Sequence, residues 1–315
     1  MQIVVLDDYQ QVAAQHADWD SLEEDVTFLD RHLEGAELVA ALQQAQVVVA
    51  MRERTPIGAE LLAQLPELRL IVTTGRRNAS IDVAAANAQG VPVCGTSGLA
   101  SSTVEHTWAL ILSAVRHIPA EDRSMREGGW QTTVGTGLAG GTLGVMGLGR
   151  LGSQVATIGQ AFGMDVVAWS QNLDPEHARS LGVRPVSKAE LMAESDVVTI
   201  HLVSSARTHH VVGADEIAAM RPTAYLVNTS RGPLVDTAAL LEALHAGRIA
   251  GAAIDVYDTE PLPADDPLRT APRTVLTPHV GYVTGDGYDV FFREAVEDIA
   301  AWRGGTPLRV LSAGE

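Results

Sequence analysis

The chain has 315 residues, 46% of them hydrophobic and 19% charged, a globular balance that excludes collagen-like and low-complexity classes. At roughly 150 residues per domain the length predicts two domains with ample core, so folding needs no metal or disulfide staple. The 39 acidic against 22 basic side chains leave a formal charge of -17, which repels nucleic acid and anionic membranes and excludes phosphate reading over a broad surface.

One cysteine, Cys94, forms no internal disulfide and fits a reducing compartment. Met1–Tyr9 carries Asp7 and Asp8 where a leader would carry basic residues, and no apolar run approaches the ~20 residues of a membrane span. The expectation is a soluble cytoplasmic protein with neither nucleic-acid nor membrane partners.

Ile3–Leu6, Val26–Leu29, Gln46–Ala50, Leu70–Thr73 and Val91–Val93 read as strands, with helical patterns at Gly35–Ala45, Gly58–Leu65 and Ser80–Gln89 between them. This βαβ rhythm predicts a parallel sheet with helices on both faces. A long helical pattern follows from about Ser102 to Glu127, with Ser101 or Ser102 as N-cap and Gly128-Gly129 as stop. Its length marks it as an interdomain connector. After the glycine-rich stretch Gly135–Gly141, a second βα series has strands at Leu143–Met146, Asp165–Trp169, Val197–His201, Ala224–Asn228, Ile249–Ile254 and Thr274–Leu276. Asp289–Trp302 reads as a last helix, and Leu308–Val310 as a short final strand.

The segment Gly147-Leu148-Gly149-Arg150-Leu151-Gly152 sets G-x-G-x-x-G between an apolar strand and a helix. In that context Gly147 permits a tight turn, Gly149 lets backbone amides approach a pyrophosphate, and Gly152 allows close helix–strand packing. The helix N-terminus and Arg150 add positive charge. In a dinucleotide site an acid at the end of the next strand would bind the adenosine ribose; here Ser170, Gln171 and Asn172 follow Trp169. The missing acid removes repulsion against a 2′-phosphate, but no arginine stands there to grip one, so NAD and NADP both remain open.

Three more strand ends carry candidate chemistry. Asn228-Thr229-Ser230-Arg231-Gly232 puts an arginine past a buried strand, Asp255-Val-Tyr-Asp-Thr-Glu260-Pro261 puts carboxylates in a proline-braced loop, and Thr277-Pro278-His279-Val-Gly281 puts a histidine after a third. All lie where doubly wound sheets bind ligands. Any one alone is more often structural, but together, after a dinucleotide loop, they point to a catalytic site.

With these motifs the chain, from about Leu70 through Trp302, resembles the NAD(P)-dependent D-isomer-specific 2-hydroxyacid dehydrogenases, in the manner of glyoxylate/hydroxypyruvate reductases. The resemblance implies two doubly wound α/β domains: a flavodoxin-like substrate domain (1–100 plus 286–315) and an inserted Rossmann cofactor domain (101–285). It also implies a homodimer. Arg231 becomes the anchor for a 2-oxo acid's carboxylate and carbonyl, which suits a guanidinium fork. His279 becomes the general acid during reduction, and Glu260 the partner that fixes its tautomer. Asp255 corresponds to a residue on the nicotinamide side of the cofactor, with Thr103 and Thr229 as further cofactor contacts.

The segment Gly75-Arg76-Arg77-Asn78 takes the place of the family's carboxylate-cradling loop, departing from it at Arg76, Arg77 and Asn78. Gly75 and Arg76 are expected to supply amides to the substrate, with Arg52 or Arg76 reaching a second polar group. The competing reading pairs these arginines with acids such as Glu53 or Asp82. No metal is expected, because His209 and His210 are adjacent and should point apart, and no H-x₃-H or paired-cysteine pattern exists. Cys94, Phe291, Phe292 and Trp302 read as packing. Glyoxylate or hydroxypyruvate is the first substrate expectation, and the short stretch after His279, with no room for a regulatory domain, weighs against phosphoglycerate. The alternative in another class is a dinucleotide-sensing co-regulator on the same fold.

Overall fold

The computed structural model describes residues 1–312, which form two compact units: Met1–Leu99 with the chain from Tyr282 onward, and Ala100–Gly281. Tyr282–Gly285 thus falls in the first unit, not in the inserted one as the sequence reading had it.

The first unit is built on five parallel strands: β1 Gln2–Val5, β2 Asp25–Phe28, β3 Val47–Ala50, β4 Leu70–Thr73 and β5 Val93–Gly95. Their order is β2-β1-β3-β4-β5, the flavodoxin-like arrangement. β3 and β4 are buried along their whole length, as strands covered on both faces must be. One face packs on Phe291, Phe292 and Ile299 of the helix Gly285–Arg303. The other packs on Leu38, Leu42, Leu62 and Ala86 from the intervening helices. Cys94 is wholly buried, and burial pushes its thiol up to about 12.

The second unit holds seven parallel strands: β6 Thr142–Met146, β7 Asp165–Trp169, β8 Arg184–Pro185, β9 Val197–Ile200, β10 Tyr225–Asn228, β11 Gly251–Ile254 and β12 Thr274–Leu276. The order β12-β11-β10-β9-β6-β7-β8 runs outward from β6 to β8, then restarts at β9 on β6's other side. That reversal is the switch point where ligands bind in such sheets. Alternation along each strand serves both faces: Leu143, Val145, Val197, Tyr225 and Val227 join one core, while Met146, Val198, Ile200 and Leu226 join the other.

The single long helix expected over Ser102–Glu127 is two helices, Ala100–Val115 and Ile118–Arg126. Pro119 lies in the first turn of the second, where its missing N–H costs nothing. Continued as one helix, its ring would meet the Val115 carbonyl. Instead His117 turns to φ 54°, and the Val115 carbonyl accepts a hydrogen bond from Thr136 N at 2.8 Å. Ser101 and Ser102 lie inside the first turn of the first helix, not ahead of it. The expected strand at Leu308–Val310 reduces to an isolated antiparallel bridge between Val310 and Cys94. Among the described residues, no helix is long and apolar enough to cross a membrane.

Candidate active site

The dinucleotide loop leaves β6 at its carboxyl end. Gly147 has φ 97°, and a Cβ there would come 2.5 Å from the His201 carbonyl, so only glycine fits. A Cβ on Gly152 would strike the Gly147 carbonyl, so the helix Arg150–Ala161 starts hard against the strand. Gly149 caps that helix and faces open space, with exposed Arg150 beside it and half-buried Leu151 behind. A closed turn beneath and an open, amide-bearing face above fit a dinucleotide pyrophosphate.

At the end of β7, Ser170 is half-buried while Gln171 and Asn172 are exposed. The Gln171 side-chain amide donates to the Arg207 carbonyl at 3.0 Å, joining this strand end to the loop after β9. Sequence reading missed Arg207, since 36 residues separate the pair and no motif links them. In the same loop His209 and His210 stack with ring centroids 3.9 Å apart. They were expected to point apart, but they sit in a turn, not a helix, and His210 has φ 48°. Among the described residues no group of three potential metal ligands comes together.

His201, at the end of β9, is a second group the sequence reading passed over. Its Nε2 lies 3.0 Å from the Thr199 hydroxyl, and its buried Nδ1 has no hydrogen-bond partner among the described residues. Burial pulls its pKa down to about 4. Thr229 is buried against the helix Ala100–Val115, its hydroxyl 2.8 Å from that of Thr107, which in turn donates to the Thr103 carbonyl at 2.8 Å. Thr103 and Thr229 thus share one hydrogen-bonded chain.

Arg231 follows β10 on a loop braced by Asn228. The Asn228 amide donates to the Arg231 carbonyl at 2.9 Å and its oxygen accepts from Ser230 N at 3.0 Å. The Arg231 Nη1 donates to the Ser230 carbonyl at 2.7 Å, which orients the guanidinium. On the end of the adjoining β11, Asp255 is only 1% exposed. Its Oδ1 accepts from Val280 N at 2.9 Å and from the Thr277 hydroxyl, and lies 3.1 Å from His106 Nε2. Its Oδ2 accepts from Gly281 N at 2.9 Å. Burial pushes this carboxyl up, but the hydrogen bonds from His106, Thr277 and Val280 prevail and hold it below its ordinary range. Asp255 therefore fixes the turn after β12, and only Oδ2 has acceptor capacity left for a cofactor.

That turn carries His279, whose φ is 52° and whose N–H donates to the Asp255 carbonyl at 2.7 Å. Its Nδ1 lies 2.6 Å from Glu260 Oε2, and Glu260 Oε1 accepts from Tyr257 N at 2.9 Å. With Nδ1–H turned to the carboxylate, proton exchange at this ring would run through Nε2. Arg231, Glu260 and His279 thus follow three neighbouring strands, β10, β11 and β12.

The first unit gives a different account of its candidates. The Gly75 N–H, expected to meet a substrate, donates to the Thr96 hydroxyl at 2.8 Å and is buried, so it is engaged within the fold. Asn78 is structural: its amide donates to the Thr73 hydroxyl at 2.8 Å and its oxygen accepts from Ser80 N at 2.9 Å. Arg52 lies 3.7 Å from Glu53, as the competing reading held, while Arg76 and Arg77 are exposed. Arg54, not singled out by sequence, is a buried cation 4.4 Å from the Tyr9 ring centroid.

A family model described as the D-isomer specific 2-hydroxyacid dehydrogenase NAD binding domain matches residues 108–281. The chain is 39% identical over 248 residues to a glyoxylate reductase of Aeropyrum pernix, covering 76% of this chain and 74% of that protein. It is 36% identical to a D-3-phosphoglycerate dehydrogenase of Archaeoglobus fulgidus, over 87% of this chain but only 52% of that longer protein. A crystal structure of a phosphoglycerate oxidoreductase from Vibrio cholerae superposes with a TM-score of 0.92 at 36% identity, covering 97% of this chain and 100% of that one. The glycine loop, the strand order and the Arg231, Glu260 and His279 strand ends lie in a chain that belongs to the D-isomer specific 2-hydroxyacid dehydrogenase family.

Proposed function

We propose that the protein reduces a small 2-oxo acid to the D-2-hydroxy acid, and catalyses the reverse oxidation, with Arg231, Glu260 and His279 as its working groups. The observation that carries this reading is the 2.6 Å pair of Glu260 and His279 beyond the end of the sheet. NAD(H) or NADP(H) supplies or accepts the hydride at C2 when bound. Arg231 holds the substrate carboxylate and draws electron density toward the C2 oxygen. His279 delivers a proton from Nε2 to that oxygen as it becomes the hydroxyl, while Glu260 holds the ring and offsets the positive charge it carries before transfer. In oxidation the same nitrogen takes the proton back.

Glyoxylate or hydroxypyruvate is the proposed substrate, supported by the extent of the likeness to a glyoxylate reductase. The phosphoglycerate names among relatives, one belonging to a chain matched along its whole length, make 3-phosphohydroxypyruvate the comparison to run beside them. The reading also takes the protein as a cytoplasmic homodimer, supported by the buried, unpaired Cys94 and by exposed apolar side chains that include Trp130 and Val134.

The test follows reduced-nicotinamide absorbance against glyoxylate, hydroxypyruvate, pyruvate, phenylpyruvate, 2-oxoglutarate and 3-phosphohydroxypyruvate. Turnover on at least one acid is expected, falling by about 10²- to 10⁴-fold in His279→Ala and steeply in Arg231→Ala. Cofactor binding without turnover on any acid would instead leave a dinucleotide-binding module, and unaltered rates in both variants would remove the assigned roles.

A further inference from the structure

We infer that Arg207 is the cation that receives the 2′-phosphate of NADP(H), and that the enzyme therefore favours NADPH over NADH. The inference rests on the dinucleotide reading above and goes beyond it by assigning the cofactor class.

In this sheet the adenosine half of a dinucleotide belongs at the reversal around β6, between the end of β7 on one side and the loop after β9 on the other. The end of β7 decides between a 2′-hydroxyl and a 2′-phosphate. No carboxylate stands at Ser170, Gln171 or Asn172, so nothing there repels a phosphate. The next acid, Asp174, turns its side chain to the backbone N–H of Glu176 at 2.9 Å as the cap of the following helix.

The cation arrives from the other wall. Gln171 Nε2 holds the Arg207 backbone by its carbonyl, so the arginine is tied to the strand end through its main chain and its side chain is left exposed. Among the described residues Arg207 enters no ion pair. In a chain with a formal charge of -17, Arg184 and Arg221 of the same unit pair with Glu194 and Asp196, so their guanidinium groups are already engaged where that of Arg207 is not. The loop bearing Arg207 is itself braced: the Thr208 hydroxyl donates to the Val203 carbonyl at 2.8 Å and accepts from Ser205 N at 2.8 Å. A guanidinium presented from a braced loop that Gln171 ties to the end of β7 suits a phosphate dianion.

Calorimetric titration of the full-length protein with NADPH and NADH, and with adenosine 2′,5′-bisphosphate and AMP as fragments, tests this without turnover. Wild type is expected to bind each 2′-phosphorylated ligand at least about tenfold more tightly than its counterpart, with a steeper loss in added salt. Arg207→Ala should collapse that ratio by about tenfold, and Arg207→Glu should invert it. Arg207→Lys should keep part of it, because a lysine retains the charge but not the fork. Every one of these variants leaves the carbonyl that Gln171 holds in place, so folding is not at stake. Equal or tighter binding of NADH by wild type, or a ratio that Arg207→Ala leaves intact, overturns the inference alone. Failure of all four ligands to bind overturns the dinucleotide reading itself.

Discussion

Glu260 Oε2 meets His279 Nδ1 at 2.6 Å, and the histidine it holds has a backbone φ of 52°. A left-handed conformation at a non-glycine residue costs on the order of 1 kcal/mol. Here the turn is over-determined: Asp255 accepts from the backbone N–H groups of His279, Val280 and Gly281 with its carbonyl and both carboxylate oxygens. Ring and backbone of His279 are thus positioned by two different acids.

Glu260→Gln keeps the size and one acceptor of the side chain but removes the charge. We expect kcat to fall by ~10- to 100-fold with KM changed far less, since in the proposed reaction Glu260 acts on the proton donor and Arg231 on the substrate. Rates across pH with a saturating 2-oxo acid check this. An equal loss in KM alone would place Glu260 in substrate binding instead.

Asp255→Ala takes an acceptor from two backbone N–H groups, the Thr277 hydroxyl and His106 in a site that is 1% exposed. Each buried donor left unsatisfied costs about 1–3 kcal/mol, so a total loss above ~3 kcal/mol is expected. Urea unfolding measures it. Asp255→Asn, which keeps one acceptor oxygen, should lose less, and the same ordering should appear in kcat because the turn it anchors carries His279.

His201 gives the expected acid limit. Burial lowers its pKa from the ordinary 6.5 to about 4, so the unfolded chain takes up this proton first as pH falls. The stabilisation is therefore complete above pH 6.5 and is lost progressively toward pH 4. It amounts to at most about 3 kcal/mol. His201→Gln, which can still reach the Thr199 hydroxyl, should flatten the fall in urea midpoint between those limits, and an unchanged slope would assign the acid sensitivity elsewhere.

The strands at Leu70–Thr73, Asp165–Trp169 and Thr274–Leu276 were legible to the residue because β-branched runs bounded by turn residues mark buried parallel strands. The helix at Ser102–Glu127 misled because apolar spacing continues through Arg116 and His117, while Pro119 breaks the backbone regardless of spacing. In the site, Arg231, Glu260 and His279 stood out because each closes a strand with its own motif. Gly75 did not behave as its motif position implied, since Thr96, 21 residues away, takes its N–H. Arg207 and the grip of Asp255 on the His279 turn were illegible for the same reason: they are tertiary hydrogen bonds between segments whose local patterns carry no trace of each other.

The helix Ile118–Arg126 has no buried residue, and with the chain that follows it exposes Ile118, Met125, Trp130 at 69% and Val134 at 92%. Four large apolar side chains exposed within 17 residues of chain make this segment a candidate interaction site. The family resemblance names a second copy as the occupant. We expect the protein to sediment at twice its 33.3 kDa mass, and Trp130→Asp with Val134→Asp to sediment at the single-chain mass. The two charges cannot be buried against a second apolar surface without a penalty that removes the gain from association. Because both side chains are solvent-exposed in the single chain, folding should survive the change, and circular dichroism of the double variant separates lost association from lost structure. A double variant that keeps the wild-type mass would move the dimer contact away from this segment.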